Sequence, residues 1–499
     1  MRLTLFLGLL LCLITACDPD RDFVTGDAVR LRFEVDTVSF DTVFTARGSA
    51  TQLFKVYNDA SEPVRIDRVA VQGMTGVTFT FNIDGTMGPE ARDVVIWGKD
   101  SIFVFVEAEV DPSVPEEVSP FIAEDLLVFE TGNVQESVVL QAYGQNANYL
   151  NGFGRGQSFL LSCSGGTVAL PADLPTVIYG SLFIDSCTVQ VLAGSRVYFY
   201  GGIQRNNPII AGGGAYIDGF IYTLPGGSLQ LLGTADEPVI LATDRLEEGF
   251  EKSRGAYQGL IFGPLSTNNR IEYAEINNAA AGVIADSLAE VTIDNTVIAF
   301  TSGPSLSTYQ ANVEVRNSLF HSSSGNSVQV VKGGKLVLDH TTLANYGGGD
   351  NVALSLVNDI PLCVAEECDP SPLTVRVRNS ILAGFTSNEL ILADSLNGTN
   401  PSFFDVRIEN SVVRTDEKFF IAGREGDPNF YETICQGCYN LTFDDPLFFD
   451  LREEDFHLDS LSVARDLGVF LPELPRDLED TPRDTDRPDA GALEWVPGR

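Results

Sequence analysis

The chain has 499 residues, 44% hydrophobic and 20% charged, and its 69 acidic against 32 basic side chains give a formal net charge of −37. That balance argues against a nucleic-acid partner, because neutralising phosphates needs clustered Lys and Arg. The length suits two or three domains, or one long repeat array beside a smaller domain.

The first element is an export signal over residues 1–16. Arg2 supplies a positive start, and Leu3 to Ile14 form a mainly apolar run too short to span a bilayer, for which about 18–20 residues are needed. The run ends Leu13-Ile14-Thr15-Ala16-Cys17, which resembles the bacterial lipobox. The resemblance implies that Cys17 is lipidated and becomes the mature N-terminus, with the membrane as partner through the acyl chains. Each buried CH₂ there contributes about 0.8 kcal/mol. Residues 17–27 follow as an acidic tether whose Asp18-Pro19-Asp20-Arg21-Asp22 is similar to the stretch behind the lipidated Cys in surface-exported lipoproteins of Bacteroidota-like bacteria. That likeness implies an outer-membrane lipoprotein of the cell envelope and leaves the leaflet open.

Cysteine usage agrees with export. Of eight Cys, Cys12 lies in the signal and Cys17 in the lipobox, and the other six form near pairs: Cys163 and Cys187, Cys363 and Cys368, Cys435 and Cys438. Structural disulfides are expected. A redox role for Cys435-Gln436-Gly437-Cys438 needs a βαβ context that is absent around it, and a four-cysteine zinc site is disfavoured outside the cytoplasm.

Residues 28–147 read as short strands separated by turns, such as Leu31-Arg32-Phe33-Glu34-Val35, Leu53-Phe54-Lys55-Val56-Tyr57 and Ile102-Phe103-Val104-Phe105-Val106. The spacing predicts a β-sandwich. Ser39-Phe40-Asp41-Thr42-Val43-Phe44 followed by Lys55-Val56-Tyr57-Asn58 resembles the immunoglobulin-like domains behind lipoprotein signals in Bacteroidota. The resemblance implies a spacer or interaction module.

From 150 to 445 the texture is a loose repeat. Ile293-Asp294-Asn295-Thr296-Val297, Val315-Arg316-Asn317-Ser318-Leu319, Leu338-Asp339-His340-Thr341-Thr342, Val377-Arg378-Asn379-Ser380-Ile381 and Ile408-Glu409-Asn410-Ser411-Val412 share one form, with Ile276-Asn277-Asn278-Ala279 a weaker member. The steps between third positions, 17, 22, 23, 39 and 31 residues, suit coils of a parallel β-helix with one insertion around Cys363 and Cys368. Asn tolerates the left-handed backbone of a sharp turn. Asn278, Asn295, Asn317, His340, Asn379 and Asn410 are therefore expected to stack as a ladder whose side chains hydrogen-bond one another. Leu192-Ala193-Gly194-Ser195-Arg196-Val197 and Gly233-Thr234-Ala235-Asp236-Glu237-Pro238-Val239 resemble entry rungs of right-handed, pectate-lyase-like β-helix proteins. The tail, 446–499, carries Ser462-Val463-Ala464-Arg465-Asp466-Leu467-Gly468 and Pro488-Asp489-Ala490-Gly491-Ala492-Leu493-Glu494, similar to the motif that closes many such helices. Asp466, Arg483, Asp489 and Glu494 are then expected as structural hydrogen bonds and ion pairs of a C-terminal cap over the last coil. The fold class expected is thus all-β: a sandwich, a right-handed parallel β-helix solenoid and a cap.

Chemistry is less legible. Polygalacturonase-like hydrolases of this architecture carry a His-Gly pair, whereas the three His here read His321-Ser322, His340-Thr341 and His457-Leu458. Lyases need an Arg or Lys base, and only six Lys occur. No catalytic residue and no metal ligand is singled out. Calcium fits the abundance of carboxylates, but no calcium-loop spacing supports it, so the cofactor stays open. In Tyr198-Phe199-Tyr200 alternation sends two rings to one face, where Tyr198 and Tyr200 are candidates for stacking on glycan. The function expected is non-enzymatic binding or display, with polysaccharide or an envelope protein as partner. The alternative is a polysaccharide lyase or glycoside hydrolase.

Overall fold

The computed structural model describes residues 23–24, 30–44, 49, 51–73, 77–110, 121–150, 158–205, 215–246, 249–359, 369–396, 399–416 and 430–498. The signal, Cys17, most of the tether and the pair Cys363 and Cys368 lie outside them. The chain divides into two compact units, one ending at Asn146 and one beginning at Ala147. No helix among the described residues is long and apolar enough to cross a membrane.

The first unit is a sandwich of two five-stranded sheets. One runs, in spatial order, 31–33, 52–58, 101–110, 77–83 and 86–88; the other 37–44, 134–145, 121–131, 64–71 and 90–96. Neighbours are antiparallel except 37–44 and 134–145, which pair in parallel. Alternating side chains send Phe54 and Val56 inward beside Phe79, Phe81 and Phe129. Asn58 is buried at a turn, donating to the carbonyls of Glu62, Ile96 and Trp97 at 2.8, 3.1 and 3.2 Å.

The second unit is a parallel β-helix. Each coil gives one strand to a ten-stranded, an 11-stranded and a nine-stranded sheet in turn, and every pairing within these sheets is parallel and in register. One interior column of the ten-stranded sheet runs Val191, Leu231, Ile271, Ile293, Val315, Leu338, Val377 and Ile408. Each of these side chains is fully buried, and burying one aliphatic side chain stabilises by about 1.5–3 kcal/mol.

The ten-stranded and 11-stranded sheets meet at a corner of one residue at Tyr273 and of two residues in each of the next five coils. Tyr273, Asn295, Asn317, His340, Asn379 and Asn410 occupy it on successive coils with φ between 45° and 49°, and Gly437 continues the series. The left-handed turn predicted for Asn295, Asn317, His340, Asn379 and Asn410 is therefore present. Asn278 is a correction: it follows the strand Ala274–Asn277 and sits at the next corner, where its amide donates to Glu251 and Ser253 carbonyls. Tyr273 holds the corner in its coil.

The vertical hydrogen bonding also differs from expectation. Asn317 and Asn295 approach only to 3.5 Å, although Asn379 and His340 meet at 2.9 Å. The buried chain runs instead through the next residue of each coil. Thr296 N donates to Ser318 Oγ, Thr341 N to Ser380 Oγ and Ser380 N to Ser411 Oγ at 3.0–3.2 Å. Each hydroxyl in turn donates to the carbonyl two residues before it, as Ser318 does to Arg316 at 2.7 Å. A short hydroxyl satisfies both its own coil and the one before, which an Asn pointing outward from the corner cannot do.

Two of the expected disulfides lie in the described residues. Cys163–Cys187 joins the first coils, and Cys435–Cys438 closes a three-residue loop at the far end.

Candidate functional site

The tail positions the site. Rather than closing only the final coil, it lies along the outer face of the 11-stranded sheet, with Leu447, Phe448, Phe456, Ala464, Ala490 and Ala492 packed against Leu319, Ile381 and Val412. The corner residues receive it: Asn317 donates to Arg476 O at 2.8 Å and Asn379 to Val469 O at 2.7 Å, while Val469 N returns to Asn379 at 3.0 Å. The covering expected of 446–499 thus exists, but it runs along the flank, because that flank is apolar and the corner amides offer donors and acceptors at each coil.

Of the four tail residues expected to be structural, Arg483, Asp489 and Glu494 are so through their side chains, and Asp466 through its backbone N–H. Arg483, whose side chain is 0% exposed, pairs with Glu494 at 3.2 Å and donates to Asn317 Oδ1 and the carbonyls of Gly491 and Ala492 at 3.0–3.2 Å. Asp489 accepts from the backbone N–H of Asp466 and Trp495. Burial pushes the Glu494 carboxyl up to about 7 and raises Asp489 and Asp477 as well.

The outer column of the 11-stranded sheet reads Ile240, Glu275, Val297, Leu319, Thr342, Ile381 and Val412 in register. Glu275 is the one carboxylate in it. It is half-buried, and desolvation alone raises its carboxyl above the ordinary range. It faces a groove of about 520 Å³ between this flank and the tail, lined also by Tyr273, Asn295, Val297 and the 453–457 segment. In that groove His457 stands between two carboxylates, with Nδ1 at 2.5 Å from Asp455 and Nε2 at 3.1 Å from Glu479. Glu454 binds Lys252 at 2.5 Å and accepts from Ser322 at 2.9 Å. Burial works to raise Glu454, and these partners outweigh it, so it lies below the usual carboxylate range. Beside it His321 is held down at about 4 by burial, its ring against Phe300 and Phe456. A carboxyl raised by desolvation, Glu275, and one held down by its partners, Glu454, in one cleft form the kind of arrangement from which acid–base pairs are built.

The outer face of the ten-stranded sheet is of another kind. Asp294, Arg316, Asp339 and Arg378 stand in register on four coils. Arg316 grips Asp294 through two 2.6 Å bonds, and Arg378 grips Asp339 at 2.7 and 2.6 Å. Acids beside an Arg on adjacent coils are thus present, but bidentate pairing holds each of these guanidinium groups.

The candidate glycan rings are corrected. Tyr198 and Tyr200 do share a face opposite Phe199, which enters the core, but Tyr198 is only 8% exposed. Tyr200 packs on Tyr179 at 5.0 Å, and Tyr179 on Tyr149 at 6.0 Å. These rings tie the first coils together. No group of three His, Cys, Asp or Glu among the described residues is placed to hold a metal. Sequence reading missed Glu275 because Ala274-Glu275-Ile276 looks like ordinary alternation until the coil register is known.

No family model matches the chain, and no curated protein does. Among solved structures it is similar to the catalytic unit of a thermostable GH87 alpha-1,3-glucanase from Streptomyces thermodiastaticus, at 12% identity over 74% of this chain and 76% of that one, with a TM-score of 0.33. It is also similar to a catalytic domain of GH87 alpha-1,3-glucanase in complex with nigerose, at 12% identity over 75% and 84%, TM-score 0.20. A family 123 glycoside hydrolase from Clostridium perfringens aligns at 5% identity over 46% of this chain and 62% of that one, TM-score 0.18. Likeness this loose leaves the chemistry to this chain's own side chains.

Proposed function

We propose that the protein is a lipid-anchored cell-envelope β-helix protein that hydrolyses a neutral glycan in the groove beside Glu275. The observation that carries this reading is Glu275: the one charged residue in the outer column from Ile240 to Val412, raised by desolvation, lining the same groove as Asp455 and Glu479. Glycoside hydrolysis needs one carboxyl that keeps its proton for the leaving oxygen and a second, ionised, that attacks the sugar or activates water. Glu275, its carboxyl raised by desolvation, is the candidate for the first role, and Asp455 and Glu479, which line the same groove, are the candidates for the second. Elimination is less well supported, since no Lys or Arg is among the side chains that line the groove and Lys252, beside it, is held by Glu454. A net charge of −37 disfavours acidic polysaccharides.

The test is incubation with a panel of neutral and acidic polysaccharides, reading reducing ends and the absorbance of unsaturated products together. Reducing ends from a neutral member are expected, falling about 10²–10⁴-fold in Glu275→Gln. Unsaturated products would overturn hydrolysis in favour of a lyase. Retention without any product supports the second reading, non-enzymatic binding or display, which the engagement of Asp455 and Glu479 by His457 favours. The anchor is tested separately: Cys17→Ser is expected to move the protein from the membrane to the soluble envelope fraction, and continued membrane retention counts against it.

A further inference from the structure

The strand Ser101–Val110 of the sandwich alternates as a half-buried strand should, with Val104, Val106 and Ala108 inside. Its outward residues are not the usual polar set. Phe103 is 47% and Phe105 40% exposed, and Leu53, opposite Phe105 on the neighbouring strand, is 55% exposed. The two Phe rings lie side by side, centroids 6.2 Å apart and planes within 28° of one another. Contiguous exposed apolar side chains of this kind mark a binding site more often than a defect.

Its rim is polar. Lys55, opposite Phe103, holds its ammonium 4.9 Å from that ring's centroid, and Asn82 faces Phe105 from the other neighbouring strand. Further along the same strand Glu107 accepts from Thr51 at 2.6 Å. Donors and acceptors around two exposed rings with roughly parallel planes complement a pyranose, which offers C–H bonds on its faces and hydroxyls around its edge. Charge selects among occupants. Glu34 and Glu107 stand near the rings, Asp59 is engaged by Arg32, and the chain carries −37, so a second copy and an acidic polymer are both repelled.

We propose that this face is a glycan-stacking site for neutral polysaccharide, on a unit separate from the groove and independent of Glu275. The experiment uses the full chain on an insoluble neutral polysaccharide and measures retention and product release in parallel. Phe103→Ala with Phe105→Ala is expected to weaken retention roughly tenfold, from the loss of two ring contacts. Release of product from a short soluble substrate stays at the wild-type rate. Phe103→Tyr with Phe105→Tyr keeps the rings and keeps retention, which separates stacking from misfolding. Glu275→Gln gives the converse pattern, retention kept and product lost, so failure of the groove and failure of this site are distinguishable. Wild-type retention by the double Ala variant, or no retention of the wild type on any neutral polysaccharide tried, overturns the proposal.

Discussion

The two sheets that meet at the left-handed corner have the same interior and opposite exteriors. Inward, both present fully buried apolar columns. Outward, the ten-stranded sheet carries Asp294, Arg316, Asp339 and Arg378, whereas the 11-stranded sheet carries Val297, Leu319, Ile381 and Val412. The difference decides where the tail goes. A strand with one apolar face is finished by the coil interior, and a strand apolar on both faces needs a second layer. The groove opens where that apolar column changes to Glu275.

The contrast can be broken most severely at the ion pair that locks the tail. Arg483→Met leaves Glu494 without its buried cation and is expected to cost about 3–5 kcal/mol in tail docking. Hydrogen exchange should then rise along the outer strands 297–299, 319–321 and 381–384 and stay unchanged on the ten-stranded sheet. Next comes matched truncation of the two exteriors. Ile381→Ala, under the tail, is expected to cost about 2–5 kcal/mol, and Thr292→Ala, on the open face, within about 0.5 kcal/mol, both by denaturant titration. Equal costs would show that the tail adds no second layer.

A pH series sharpens the same point with a smaller effect. Glu494 titrates near 7 when folded against an ordinary 4.5, so between those values the folded chain keeps a proton that the unfolded chain releases. Its contribution is present below about 4.5 and is lost as pH rises through 7. Neutral His321, held near 4 by burial, acts in the other direction, its contribution disappearing as pH falls from 6.5 towards 4. Glu494→Gln should therefore remove a decline in tail stability between pH 5 and 7. An unchanged pH profile in that variant contradicts the assignment. The smallest effect is expected at Arg316→Ala on the open face, about 0–1 kcal/mol and weaker in high salt, because the pair with Asp294 is partly solvated.

Much of this is legible in the amino-acid sequence. The alternation in Val291-Thr292-Ile293-Asp294 gives an interior column, and Asn before Thr or Ser marks the corner in four coils, with His340 before Thr341 in a fifth. Asn278 misled because Asn adopts a left-handed backbone at any tight turn, and nothing local tells one corner from the next. The corner of its coil is Tyr273, which carries no such signature. The hydroxyl chain was written in the same segments, as Thr296, Ser318, Thr341, Ser380 and Ser411, but which of two adjacent polar residues points inward depends on the φ of the first. Runs such as Val297-Ile298-Ala299 and Ile381-Leu382-Ala383 already announced a covered flank. Glu275 could not be singled out from the sequence, because its oddness exists only relative to neighbours 22 or more residues away.

Glu275→Val offers the most direct trial of the functional account. If the carboxyl is kept for chemistry, Val should complete the apolar column and raise stability by about 1 kcal/mol, while release of reducing ends from the neutral glycan disappears. A variant that turns over glycan at the wild-type rate, whatever its stability, would contradict the account.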